Sequence, residues 1–180
     1  SKPHSKWQLV YANELYTDLP RLFNYFRDTK GITLHSVDIT NNDHVTNLLK
    51  SFAHRNTILY FETCSNPHGN IFDFDLIVQL KTFNPNLIVI VDNTWVTSSC
   101  FNPLNYRADF VVSSLTKYYS NSTAMGGLIA SNSSLMDDIW KYIRFHGLHV
   151  SPYDCQIVCD NIDTLVPRMT KAYTVMINLF

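Results

Sequence analysis

Three short apolar runs in this sequence each end in a cluster of side chains equipped for acid–base or nucleophilic chemistry. Thr57–Phe61 (TILYF) runs into Glu62-Thr63-Cys64-Ser65-Asn66-Pro67, and Leu87–Val91 (LIVIV) into Asp92-Asn93-Thr94-Trp95. Asp109–Ser113 (DFVVS) runs into Ser114-Leu115-Thr116-Lys117-Tyr118. A carboxylate closing one buried strand and an amine closing another would set two opposite charges on one rim. Each residue alone has a plainer explanation. Asp92 reads as a helix cap or turn former, Lys117 as a solvated amine, and Asn66-Pro67 as an ordinary turn. Recurrence at three equivalent positions favours a site, although spacing alone leaves nucleotide binding and hydrolysis open. The sequence contains no GxGxxG or GxxxxGK[ST] phosphate loop and no GxSxG elbow, which weakens both alternatives. Cys155 and Cys159 share a helix face at four-residue spacing, but no second ligand pair lies near them. Buried thiols are the better reading there, and no metal site is expected.

These clusters need a scaffold. The three runs are rich in β-branched and aromatic residues and do not alternate, as central strands buried on both faces require. Gln8–Tyr11, Thr33–His35 and Leu128–Ala130 read as shorter strands. Between them lie amphipathic segments: Leu19–Phe26, Asp43–Ala53, Phe72–Phe83, and Leu135–Arg144 entered through Ser133 or Ser134. Asp73 and Asp75 are expected in the first turn of the third, where the helix dipole is positive. Ser151-Pro152 reads as an N-cap followed by the first residue of a further helix. Alternating strands and helices predict a three-layer α/β fold, a mostly parallel sheet with helices on both faces. In such sheets ligands bind beyond the carboxyl ends of the strands. No repeat or linker interrupts the chain, so residues 1–180 read as one domain. A final helix, Arg168–Phe180, carries an apolar stripe (Met169, Tyr173, Met176, Leu179, Phe180) that needs a cover.

Composition narrows the function classes. The 180 residues are 46% hydrophobic and 16% charged, enough to bury a core. Fourteen basic against fifteen acidic side chains leave a net charge of −1, without the footprint of a nucleic-acid binder. The longest apolar runs, such as Leu87–Val91, fall far short of the roughly 20 residues of a membrane helix. Ser1-Lys2-Pro3-His4 has no apolar signal segment and no initiator Met, so a processed or excised piece is expected. Four cysteines are too few for a disulfide scaffold, and a reducing, cytoplasmic setting is expected.

The motifs resemble those of a known family. Glu62-Thr63-Cys64-Ser65-Asn66-Pro67-His68-Gly69, Asp92-Asn93-Thr94 and Ser114-Leu115-Thr116-Lys117-Tyr118 are similar to successive signatures of the Cys/Met-metabolism pyridoxal-phosphate enzymes. That trans-sulfuration family holds the cystathionine synthases and lyases and methionine lyase. Glu14-Leu15-Tyr16 with Arg21-Leu22-Phe23 resembles the segment around its cofactor-stacking tyrosine. Gly126-Gly127, Gly147, Ser151-Pro152-Tyr153-Asp154, Thr164-Leu165 and Arg168-Met169 continue the match in order. The resemblance implies part of the large domain of a fold-type I pyridoxal-phosphate transferase. It further implies that Lys117 holds pyridoxal phosphate as a Schiff base and then shuttles protons. Asp92 would pair with the pyridinium nitrogen, Tyr16 would stack on the ring, and Asn66 would bond the ring hydroxyl oxygen. Ser114 and Thr116 would donate to the phosphate. The implied reaction is β- or γ-elimination or replacement on a sulfur-containing amino acid of the cystathionine type.

The chain departs from the family at Thr17-Asp18-Leu19 (usually Gly-Gly-Thr), Asn121-Ser122 (Gly-His) and Asp160-Asn161 (Arg-Gly). By the same resemblance, three parts fall outside the sequence: an N-terminal phosphate-binding loop, a Tyr-x-Arg segment from a neighbouring subunit, and a C-terminal small domain with a carboxylate-binding arginine. A chain truncated at both ends is expected to be impaired in turnover and to assemble as a homo-oligomer or with a complementing chain. The competing readings are a catalytically inactive remnant acting as an interaction or structural protein, and an aminotransferase or desulfurase on the same fold. The second is disfavoured by the Ser114-x-Thr116-Lys117-Tyr118 context.

Overall fold

The computed structural model describes residues 7–179. The expectations for Ser1–His4 and for Phe180 lie outside the described residues. Six strands form one sheet: β1 (Trp7–Ala12), β2 (Thr33–Val37), β3 (Asn56–Glu62), β4 (Leu87–Asp92), β5 (Phe110–Ser114) and β6 (Gly127–Ser131). Their order is β2-β1-β3-β4-β5-β6, parallel throughout except for antiparallel β6. The chain leaves β1 to one side for β2 and then crosses back to β3, so its direction switches between β1 and β3.

Right-handed crossovers then place the helices. The helix after β1, α1 (Asp18–Lys30), lies on the face bearing Tyr11 and Tyr60, where Phe23 packs against both rings at 5.1 and 5.4 Å between centroids. The return crossing carries α2 (Asn42–Ser51) to the other face, beside α3 (Leu76–Phe83). Phe61 points to that second face and meets Phe72 and Phe74 at 4.3 and 5.5 Å. Buried Leu59, Val89 and Val91 point the same way by strand alternation. The one-turn α4 (Thr97–Cys100) follows β4, and α5 (Met136–His146), α6 (Pro152–Ile162) and α7 (Leu165–Ile177) complete the chain. Beside α5 the first face keeps an apolar cleft of about 350 Å³ lined by Ile58, Ile90, Phe110 and Ile139.

Two expected helices begin elsewhere. The third starts at Leu76, because the Asp73 carboxylate accepts the Asp75 N–H and turns the chain first. Phe72 has the apolar spacing of a helix residue but is buried in the aromatic cluster ahead of it. Asp73 therefore lies outside the first turn, and Asp75 occupies the N-cap position. The last helix begins at Leu165, with Pro167 in its first turn, where a missing N–H costs nothing. Its apolar stripe partly faces α4, leaving a groove of about 380 Å³ lined by Cys100, Met169, Tyr173 and Met176. Ser151 caps α6 as expected, accepting the Asp154 N–H at 3.1 Å. Cys155 and Cys159 are exposed free thiols, not buried ones. Among the described residues no helix is long and apolar enough to cross a membrane.

Asp109 sits just before β5, not on it, and braces the sheet. Its carboxylate accepts from Lys81 Nζ at 2.6 and 2.7 Å and from the Val89 N–H at 2.7 Å. Both groups are about three-quarters buried, at 23% and 25% exposure. Asp109→Ala is expected to destabilise the fold by about 2–3 kcal/mol in urea unfolding, since two charge-assisted donors lose their acceptor.

Candidate functional site

The strand ends converge above β1, β3, β4 and β5. A cavity of about 430 Å³ opens there, lined by Tyr16, Leu19, Glu62, Asn66, Asp92, Thr94, Trp95, Ser114, Thr116 and Lys117. All six residues named from the sequence face this one space. The sequence motifs assign no role to Glu62, Thr94, Trp95 or Leu19, although three of them lie inside the polar clusters. Register supplies the signal: Glu62 pairs with Asp92 across β3 and β4, so two carboxylates leave the sheet side by side.

Several of these polar groups are held by their neighbours. Asp92 Oδ1 accepts the Thr94 N–H at 2.9 Å, and Oδ2 accepts the Tyr60 hydroxyl at 3.4 Å. Burial, reinforced by Asp92, pushes the Tyr60 phenol well above its ordinary value and keeps it a donor. Ser114 donates its N–H to Thr94 Oγ1 at 2.8 Å, joining the ends of β4 and β5. Beneath them, buried Asn93 accepts from Thr63 Oγ1 and donates to the Phe101 carbonyl, both at 2.8 Å.

Glu62 is 4% exposed. Its Oε1 accepts the Tyr16 N–H at 2.7 Å, whereas Oε2 is buried without a hydrogen-bond partner. Burial, opposed by that N–H and assisted by Asp92, pushes its carboxyl up to about 7. Glu14 ties the Tyr16 loop to the Asn66 loop. It accepts from Ser65 Oγ (2.7 Å) and Asn70 Nδ2 (3.0 Å) and meets His68 Nδ1 at 2.7 Å. The Ser65 hydroxyl is the main reason its carboxyl lies below the usual range.

Lys117 stands on a π-helical turn, Leu115–Tyr119, of a kind that recurs at functional sites. Its Nζ lies 5.9 Å from the centre of the Tyr16 ring, and among the described residues it forms no ion pair. Arg168 Nη1 holds the Tyr118 carbonyl at 2.7 Å, and the Tyr119 hydroxyl accepts the Ser98 N–H at 3.0 Å. Gly126 donates to Thr116 Oγ1 at 3.3 Å and its carbonyl accepts the Leu115 N–H at 2.9 Å. A Cβ there would stand 3.0 Å from a Val150 methyl and 3.2 Å from a Leu115 methyl, so a side chain at this position would require those methyls to shift by a few tenths of an ångström. The chain then passes through left-handed Asn121 (φ 55) and Ser122 (φ 64). Asn tolerates that region and Ser does so at a cost. Ser122→Gly is therefore expected to stabilise the protein by about 0.5–1 kcal/mol, read as a raised thermal midpoint.

The family model described as Cys/Met metabolism PLP-dependent enzyme matches residues 4–178. The chain is 33% identical over 167 residues to a cystathionine beta-lyase of Neurospora crassa, covering 91% of this chain and 36% of that protein. It is 36% identical over 149 residues to an L-methionine gamma-lyase of Fusobacterium nucleatum subsp. polymorphum, covering 78% and 36%. A solved cystathionine gamma synthase of Xanthomonas oryzae pv. oryzae superposes with a TM-score of 0.80 at 26% identity, over 88% of this chain and 40% of that one. The chain thus spans little more than a third of the length of these curated relatives. With the family model matched over nearly its whole length and the strand-end motifs meeting in one cavity, this chain belongs to the Cys/Met metabolism family of pyridoxal-phosphate-dependent enzymes.

Proposed function

We propose that the strand-end cavity binds pyridoxal phosphate and serves β- or γ-elimination or replacement on a sulfur-containing amino acid of the cystathionine type. The observation that carries this reading is the convergence of Tyr16, Asn66, Asp92, Ser114, Thr116 and Lys117 on one cavity. The donor set suits the cofactor: an amine, a carboxylate, two hydroxyls, an amide and an aromatic face. The volume is in the range of small-molecule sites. The Xanthomonas relative's structures hold cystathionine in one case, aminoacrylate and cysteine in another, which supports the substrate class.

When bound, the cofactor supplies an electron sink for bond breaking at the substrate's carbons. Lys117 Nζ would hold it covalently and, when free, would move protons between those carbons. The Asp92 carboxylate, its orientation set by the Thr94 N–H and the Tyr60 hydroxyl, would keep the ring nitrogen protonated. Tyr16 would cover one ring face. Asn66 would donate to the ring hydroxyl oxygen, and Ser114 and Thr116 would donate to the phosphate. Thr116 Oγ1 already accepts from Gly126, so its own hydrogen is directed elsewhere. The reading extends to a cytoplasmic protein that associates with another copy or a complementing chain, checked by light scattering.

The test is the visible spectrum of the chain with added pyridoxal phosphate, followed by borohydride reduction and peptide mapping. The expected result is a new absorption band and a single label at Lys117. Label scattered over exposed amines such as Lys30 and Lys141 would favour a non-catalytic interaction protein.

A further inference from the structure

We propose that Glu62 is a positioning residue: its Oε1 pins the Tyr16 backbone N–H and so fixes the aromatic ring over the cavity, beside Asp92. This inference rests on the cofactor reading above for its consequence, but not for its geometry. Tyr16 lies outside any helix or strand, on the connection between β1 and α1, and the residue is 49% exposed. Packing therefore does little to place that ring. Glu14 ties the loop two residues earlier, and among the described residues the backbone of Tyr16 itself has one long-range hydrogen bond, the 2.7 Å bond to Glu62, forty-six residues away in sequence. Glu62 is itself immobilised as the last residue of a central strand, in register with Asp92. A buried carboxylate on a rigid strand end is a sound post for a loop, because its position is set by the sheet ladder.

The unpartnered Oε2 gives the second half of the argument. Leaving a buried oxygen without a partner costs stability, so glutamine, which keeps the acceptor and satisfies the second atom, separates the anchoring role from the charge. Glutamine offers the same acceptor at Oε1 and would present an N–H₂ to Asp92. The groups facing Glu62 are Asp92 on β4, Tyr60 on its own strand, Cys64 just beyond it, and Tyr16 and Lys117 across the cavity. Of these, Lys117 is the one basic group. At neutral pH the carboxyl is divided between acid and carboxylate, and the carboxylate is the stronger acceptor for the Tyr16 N–H.

The experiment reads the Tyr16 amide directly, by hydrogen exchange in the cofactor-free chain, alongside titration with pyridoxal phosphate. Glu62→Ala should speed Tyr16 exchange and weaken cofactor binding, each by about tenfold or more. Glu62→Gln should keep both within about threefold. In the wild type, Tyr16 protection corrected for intrinsic exchange should rise as pH passes through about 7, and that step should vanish in Glu62→Gln. If Glu62→Ala does not fold, the wild-type step and its loss in Glu62→Gln carry the test. Tyr16 exchange that is insensitive to both variants and to pH overturns the proposal. So does normal cofactor affinity in Glu62→Ala. A wild-type chain that binds no pyridoxal phosphate defeats the cofactor reading instead, while the exchange data still decide whether Glu62 anchors the loop.

Discussion

Lys117→Ala is expected to abolish the borohydride-trapped cofactor label and to lower any turnover by about 10²–10⁴-fold, the usual contribution of a positioned proton carrier. Stability should change by less than about 0.5 kcal/mol, because the side chain is exposed and without an ion pair among the described residues. That separation makes the variant informative. A large loss of activity with an unchanged unfolding midpoint assigns the chemistry to the amine. Lys117→Arg keeps the positive charge but removes the reactive amine, so it should behave like the alanine variant in trapping. A label that persists at other lysines in either variant would falsify the assignment of Lys117.

Asp92→Asn is expected to weaken pyridoxal phosphate binding by about 10–100-fold, the loss of one charge-assisted bond to the ring nitrogen. The amide can still accept the Thr94 N–H, so the strand end should hold its shape. A second effect follows from register. Burial is the main reason the Glu62 carboxyl lies near 7, and the Asp92 charge adds to it. Removing that charge should move the Glu62 titration downward, which carboxyl-selective infrared or NMR spectroscopy can follow. The linkage has a definite sign. Glu62 titrates above its ordinary 4.5 in the folded state, so its contribution to stability is complete below about 4.5. That contribution then declines as pH rises and levels off above about 7. In Asp92→Asn the decline should end at lower pH, and in Glu62→Gln it should be absent. Unfolding midpoints between pH 4 and 8 that are parallel in all three proteins would contradict this account.

Much of the scaffold is written locally. The runs Thr57–Phe61, Leu87–Val91 and Asp109–Ser113 are legible because strands covered on both faces need apolar residues at nearly every position. Ser151-Pro152 is legible because capping is a contact within four residues. The start of helix α3 is not legible, for the converse reason. Phe72 has helical spacing, but an aspartate side chain bonds its own backbone and turns the chain first, a competition that periodicity does not register. The left-handed turn at Asn121 and Ser122 was likewise visible only as a departure from the family's usual residues.

By itself, the sequence determined the strand–helix alternation, the polar clusters at the strand ends and the family to which those clusters belong. All of these depend on residue types at short range or on ordered motifs. Tertiary structure alone decided that Glu62 stands beside Asp92, that its other oxygen is left bare, and that Tyr16 hangs from it. Those relations depend on which strands pair and in what register. Register is set by packing across the whole sheet, between residues that are tens of positions apart in the chain.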